Sequence, residues 1–170
     1  DIVSGMDAMV AGLEKYPIIP QTVWMESISN EKQVNGAKMK AKLSAEPNPM
    51  NFFSALNAVE NVLASRKDVY VVNEGANTLD DGRNVINMYV PRHRLDCGTW
   101  GVMGIGMGYA IGAAVASGKP VVAVEGDSAF GFSGMEIETI CRFKLPVTIV
   151  VLNNGGIYRG DHVNLGGGPD

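Results

Sequence analysis

Cysteine is nearly absent from this chain. Only Cys97 and Cys141 occur among 170 residues, too few for a disulfide framework or a zinc site. Histidine is as scarce, with His93 and His162 alone, so a His/Cys metal cluster would be a coincidence. Buried or partly buried thiols in a reducing, cytoplasmic compartment are expected instead. Long hydrophobic runs are also lacking. The nearest, Gly101–Ser117, is short and interrupted by glycine, so no membrane span is expected. No signal-peptide pattern is visible. Positive charge is not in excess: 14 Lys and Arg stand against 18 Asp and Glu, a net charge of −4, so no nucleic-acid-binding surface is expected.

Glycine, in contrast, is abundant. There are 21, and sixteen of them fall between Gly98 and Gly168, against a usual share of roughly 7% of residues. They follow no Gly-X-Y period and sit among Val, Ile, Met and Ala. Neither collagen nor a disordered tract fits. Glycine among apolar residues marks backbone that must approach something closely.

The length suits about one domain. The termini read as cut: Asp1 is not an initiator methionine, and the sequence stops in Gly166-Gly-Gly-Pro-Asp170. Residues 1–16 read as the helical tail of a preceding domain, and 17–49 as a polar, helix-prone inter-domain connector. The domain proper is expected over 50–170, truncated. Phe52, Phe53, Leu56, Val59, Val62 and Leu63 recur at helical spacing. Val69–Val72, Pro120–Val124 and Val147–Leu152 read as buried strands. Helices are expected over Asn77–Ile86, capped by Asn77 or Thr78, over Gly104–Ser117, and over Ser133–Phe143, where Ser133-Gly-Met-Glu136 fits a capping box. Residues 91–100 read as irregular or partly extended.

Continuous apolar strands alternating with helices predict an α/β fold: a doubly wound parallel sheet with helices on both faces, incomplete at the C-terminus. Ligands bind such sheets beyond the carboxyl ends of the strands. The informative segments are therefore Asn73-Glu-Gly-Ala-Asn77, Glu125-Gly-Asp-Ser128 and Asn153-Asn-Gly-Gly156. Asp127 follows one strand and Asn154 the next, with one helix and one strand between them. Adjacent strand ends would bring a carboxylate and an amide carbonyl to one crevice. Both are hard oxygen donors suited to Mg²⁺, which completes its shell with phosphate and water. Taken singly, Asp127 or the Asn153-Asn154 pair could as well only cap a turn.

The joint pattern, Gly126-Asp-Ser128 through Asn153-Asn154, resembles the thiamine-diphosphate motif, with Ser128 where glycine is common. The stretches Arg94–Tyr109 and Glu125–Glu136 look like the oxalyl-CoA decarboxylase family, and the second is similar to 2-hydroxyacyl-CoA lyases too. The resemblance implies thiamine diphosphate and Mg²⁺ as cofactors. Asp127, Asn154 and the carbonyl of Gly156 would hold the metal. Met103 would prop the cofactor into its bent shape, and Gly101 would offer a carbonyl to its pyrimidine. Glu74-Gly-Ala-Asn77 would line the diphosphate end, with Ala76 and Asn77 as its contacts and with Gly126, Ser128, Ala129 and Ile157 also at the cofactor. Ser128 and Ala129 would do so through backbone N–H groups. Tyr158 would face the acyl-CoA substrate as a catalytic residue. The implied reaction is decarboxylation of oxalyl-CoA to formyl-CoA and CO₂. The implied assembly is a homo-oligomer, dimer or tetramer, with the cofactor at a subunit interface. The family's activating glutamate has no counterpart in these residues, so the 170-residue chain alone is expected to be inactive.

Two other readings stay open: a lyase cleaving 2-hydroxyacyl-CoA to an aldehyde and formyl-CoA, and a non-catalytic binding or assembly module. Trp100, Met107 and Tyr158–Asp161 lean toward the decarboxylase. A dinucleotide site fails on spacing, because Tyr109 and Ile111 stand where GxGxxG needs its last glycine. Arg92-His93-Arg94 could meet CoA phosphates or form a solvated loop. Gly101, Gly104, Gly126, Gly155 and Gly156 are expected at the crevice. Gly112 and Gly118 are expected in helix packing and termination.

Overall fold

The computed structural model describes residues 1–16 and 19–157. The chain divides into two compact units, residues 1–41 and 42–170. The first holds α1 (Ile2–Leu13), capped by the Asp1 side chain, and most of α2 (Thr22–Ser44); neither helix has a buried residue.

The second unit holds the sheet. Helix α3 (Phe52–Leu63) opens with a reciprocal cap: Asn51 Oδ1 accepts the Ser54 N–H at 2.9 Å, and Ser54 Oγ accepts the Asn51 N–H at 3.1 Å. This satisfies two end groups that the helix itself cannot pair. There follow β1 (Tyr70–Glu74), α4 (Ala76–Val85), β2 (Arg94–Leu95), a 3₁₀ turn (Gly98–Trp100), α5 (Gly106–Ser117), β3 (Val121–Gly126), α6 (Asp127–Ser133), α7 (Glu136–Arg142) and β4 (Val147–Leu152).

All four strands are parallel, in the order β2-β1-β3-β4. Side chains alternate between the faces of a strand. Val72 of β1 stands in register with Ala123 of β3, and Ala123 with Ile149 of β4. These residues form a core with Ala110, Ala113 and Ala114 of α5. Asn73 belongs to the opposite face, where it meets Gly82 of α4. The sheet is thus covered by helices on both sides, as the continuous apolar strands predict. From β1 the chain first moves to β2 on one side and then returns to β3 on the other. The direction of winding therefore reverses between β1 and β3, which opens a crevice at their carboxyl ends.

Several local expectations are corrected. Ser133 does not cap a helix, because it is the last residue of α6. The next helix starts from Met135 with no side-chain cap. Neither Asn77 nor Thr78 caps α4, whose N-cap is Gly75 with φ +106°. Helix α5 begins at Gly106 and not Gly104, since φ of +97° at Gly104 is incompatible with a helical turn. Gly118 ends α5 in the left-handed conformation, as expected. Gly112 shows no close packing, for a Cβ there would meet nothing within 4 Å. The Arg92–Arg94 group does not act as one solvated loop. His93 is buried, stacked on Tyr70 with ring centroids 4.2 Å apart, and the Arg94 guanidinium donates to the carbonyl of Ile86.

Candidate functional site

The reversal point carries a cleft that is open to solvent. Its floor comes from two strand ends that nearly touch. A Cβ on Gly75, after β1, would stand 3.3 Å from the Gly126 nitrogen at the end of β3. Only glycine allows that approach, and its positive φ is equally glycine-specific. Ala76 and Asn77 line the cleft from the start of α4. Gly126, Asp127, Ser128 and Ala129 line it from the β3–α6 junction, and Met103 from the loop before α5. Asn154, Gly156 and Ile157 line it from beyond β4.

Glu74 and Gly101 lie outside this lining. Glu74 is 1% exposed and points under the sheet toward α5. Gly101 ends the 3₁₀ turn in the left-handed conformation, with nothing within 4 Å of a Cβ position. Gly104 and Gly155 are not on the lining either. Gly104 is instead pressed against Phe132, whose Cβ would be 3.2 Å from an added methyl. Tyr158 and His162 lie outside the described residues. Gly75 lines the cleft within the segment Glu74-Gly-Ala-Asn77 that the sequence singles out, and two lining residues escaped the sequence reading: Phe52 and Thr78. Phe52 reads there as one apolar point of a helix, and only the fold turns it toward the strand ends.

Asp127 is the organising side chain. Its Oδ1 accepts the Ser128 N–H at 2.9 Å, and its Oδ2 accepts the Gly156 N–H at 2.8 Å. The carboxylate thereby ties the end of β3 to the loop after β4. Asn153 Oδ1 stiffens the same loop by accepting the Gly155 N–H at 3.0 Å. An ionised carboxylate offers about four acceptor positions, so Asp127 keeps capacity for a cation after these two bonds. Among the described residues no three His, Cys, Asp or Glu side chains gather to hold a metal. A cation in this cleft would draw on one carboxylate and neutral oxygens, with the remainder of its shell from ligand and water. That donor set fits Mg²⁺ bound to a phosphate-bearing molecule.

Beneath the loop that carries Met103 lies a second acidic feature. Glu74 and Glu125 are register partners in β1 and β3, and both are fully buried. Burial pushes the Glu125 carboxyl up to about 9, and hydrogen bonding to and repulsion from Glu74 add to it. The Glu125 oxygens have no N–H or hydroxyl donor. The neutral acid removes that difficulty, because its own proton makes one oxygen a donor toward Glu74. The sequence hint was a charged residue closing the apolar run Val121–Val124, on the α5 face.

Residues 75–160 match the C-terminal TPP binding domain of thiamine pyrophosphate enzymes. The chain is 64% identical over 167 residues to an oxalyl-CoA decarboxylase of Escherichia coli, covering 98% of this chain and 30% of that protein. It is 48% identical over 151 residues to human 2-hydroxyacyl-CoA lyase 1, covering 86% of this chain and 25% of the relative. The chain thus spans less than a third of the length of these relatives. Among solved structures, a thiamin diphosphate-dependent enzyme isolated from Mycobacterium smegmatis superposes with a TM-score of 0.52 at 33% identity. That match covers 59% of this chain and 20% of the other.

Proposed function

Given that this chain belongs to the thiamine pyrophosphate enzymes, through their C-terminal TPP binding domain, we propose that it forms the diphosphate- and metal-holding half of an active site that converts oxalyl-CoA to formyl-CoA and CO₂. The carrying observation is the cleft at the β1/β3 reversal, where Asp127 and Asn154 converge from the ends of adjacent strands. The higher identity to an oxalyl-CoA decarboxylase than to a 2-hydroxyacyl-CoA lyase supports the choice of substrate.

In this reading Asp127 and Asn154, with the carbonyl of Gly156, would hold Mg²⁺ at the diphosphate end of the cleft. Thiamine diphosphate, once bound, would supply a nucleophilic carbon and an electron sink for the loss of CO₂. The formyl carbon gains a proton in exchange, so atoms and charge balance. The chain's own part is positional. Backbone N–H groups at Ser128 and Ala129, in the first turn of α6, face the diphosphate as helix-start amides do. Because Ser128 N–H is held by Asp127 Oδ1, Ala129 is the readier donor. Ala76 and Asn77 border the same end, and Met103 meets the organic part of the cofactor. Tyr158 is assigned to the acyl-CoA side.

The activating glutamate is assigned to a domain outside these residues, brought by another subunit of a homo-oligomer. Trp100, Phe132 and Met135 are 91%, 68% and 87% exposed, an apolar exposure that favours burial against further protein. A cytoplasmic setting fits the free thiols of Cys97 and Cys141. No described helix is long and apolar enough to cross a membrane.

The test is a product assay on the full-length protein with thiamine diphosphate and Mg²⁺. Formyl-CoA and CO₂ from oxalyl-CoA support the proposal. Cleavage of a 2-hydroxyacyl-CoA to an aldehyde, with oxalyl-CoA untouched, replaces it with the lyase. Turnover of neither, with no cofactor bound, leaves a non-catalytic module.

A further inference from the structure

The loop that brings Met103 to the cleft is held from below by a side chain the proposed chemistry does not use. Glu74 accepts three consecutive backbone N–H groups. Gly104 and Ile105 donate to Oε1, the latter at 3.0 Å, and Gly106 donates to Oε2 at 2.7 Å. Helix α5 has no side-chain cap of its own at Ile105. Its first free amides are satisfied instead by a carboxyl from the end of a distant strand.

The clamp has a second jaw. A Cβ on Gly106 would stand 2.3 Å from an oxygen of Glu74 and 2.3 Å from one of Glu125. The two acids therefore fill the place that any larger residue would need. On the other side, Gly104 at φ +97° lies against Phe132 of α6. The backbone that follows Met103 is thus fixed between a buried acid pair and an aromatic ring.

We propose that Glu74 is a positioning residue: by gripping the amides of Gly104, Ile105 and Gly106 it sets how far Met103 reaches into the cleft, and so how the organic end of the cofactor is seated. The proposal rests on the reading of the cleft as a thiamine diphosphate site. It separates two ends of that site. The diphosphate end depends on Asp127 and the β3–α6 junction, whereas the organic end depends on Glu74 through Met103. A carboxylate suits the task because both oxygens accept and neither donates. Glutamine would turn an NH₂ toward one of the three N–H groups.

The experiment titrates full-length protein, stripped of metal and cofactor, by calorimetry with two probes in the presence of Mg²⁺: thiamine diphosphate and inorganic pyrophosphate. The variants are Glu74→Gln, Met103→Ala and the double substitution. Glu74→Gln should weaken thiamine diphosphate about tenfold or more, the scale of one mispaired charged hydrogen bond. It should leave pyrophosphate within about twofold, and it should add little once Met103 is alanine. Equal loss for both probes, no loss for either, or full additivity with Met103→Ala overturns the proposal. If Glu74→Gln does not fold, Gly106→Ala presses on the same two carboxyls and must give the same split. Failure of both to fold overturns positioning in favour of a purely structural acid. A wild-type protein that binds neither probe overturns the reading of the cleft, and this proposal with it.

Discussion

Asp127 accepts the backbone N–H of Gly156 at 2.8 Å. A side chain at the end of β3 therefore fixes the loop beyond β4, and the two halves of the proposed metal site form one unit. The same carboxylate caps Ser128 at 2.9 Å. A cation added here would meet a carboxylate already oriented by two amides, so little ordering remains to be done on binding.

Substitution of Asp127 should therefore act twice. Asp127→Ala removes the proposed carboxylate ligand and the tether to Gly156. Loss of a group that merely orients a ligand costs about 10–100-fold in metal affinity, and loss of the ligand itself should cost at least that. Asp127→Asn should be nearly as severe, because its NH₂ would face one of the two N–H donors. Mg²⁺-dependent binding of thiamine diphosphate to the full-length variants measures both. Wild-type affinity in Asp127→Ala would refute the metal assignment.

Gly75→Ala should disturb the floor of the cleft. The position has φ +106°, and its Cβ would press on the Gly126 nitrogen at 3.3 Å and Thr78 Cβ at 3.4 Å. Backbone cannot step aside as a flexible side chain can. A cost of about 1–3 kcal/mol in stability is expected from the strained conformation alone. Gly108→Ala is the contrast: it lies within α5 with open space at its Cβ, and should stabilise by up to about 1 kcal/mol. Denaturant midpoints compare the two, and equal shifts would refute the crowding at Gly75.

Glu125 gives the fold a pH dependence. In the folded protein its carboxyl is raised from 4.5 to about 9, chiefly by burial. Between those values the folded state keeps a proton that the unfolded chain has released. Stability from this group is complete at acid pH and is lost as pH rises through that interval. Protein free of metal and cofactor should lose stability between about pH 6 and about pH 9. Glu125→Gln, which cannot ionise, should reduce that loss by on the order of 4 kcal/mol, about 1.4 kcal/mol for each pH unit. Parallel stability profiles for the two proteins would show that Glu125 titrates normally.

Much of this architecture was legible in the residues. The apolar run Val121–Val124 is local and forms a largely buried strand. Val147–Leu152 also forms its strand, but at the edge of the described sheet with none of its residues buried, a correction to the buried strand expected there. Gly126-Asp127 and Asn153-Asn154 could be placed at strand ends because their polarity breaks those runs. Asp127 and Asn154 share a cleft because one helical connection separates two parallel strands, which the spacing already contained.

Tertiary structure alone decided the rest. The order β2-β1-β3-β4 places the winding reversal between β1 and β3, and no local pattern specifies on which side of β1 a short strand such as Arg94–Leu95 will pair. Ser133 carries a capping signature, yet α6 already occupies it, so the competing local signal lost to packing. The family resemblance implies that Glu74 lines the diphosphate end with the rest of Glu74-Gly-Ala-Asn77. Strand alternation turns it to the α5 face instead, where register brings it against Glu125 and three amides of another segment. Composition and periodicity determined which segments form strands and which polar residues stand at their ends. Strand order and register, which depend on partners distant in the chain, decided which acid faces the cleft and which one holds the loop beneath it.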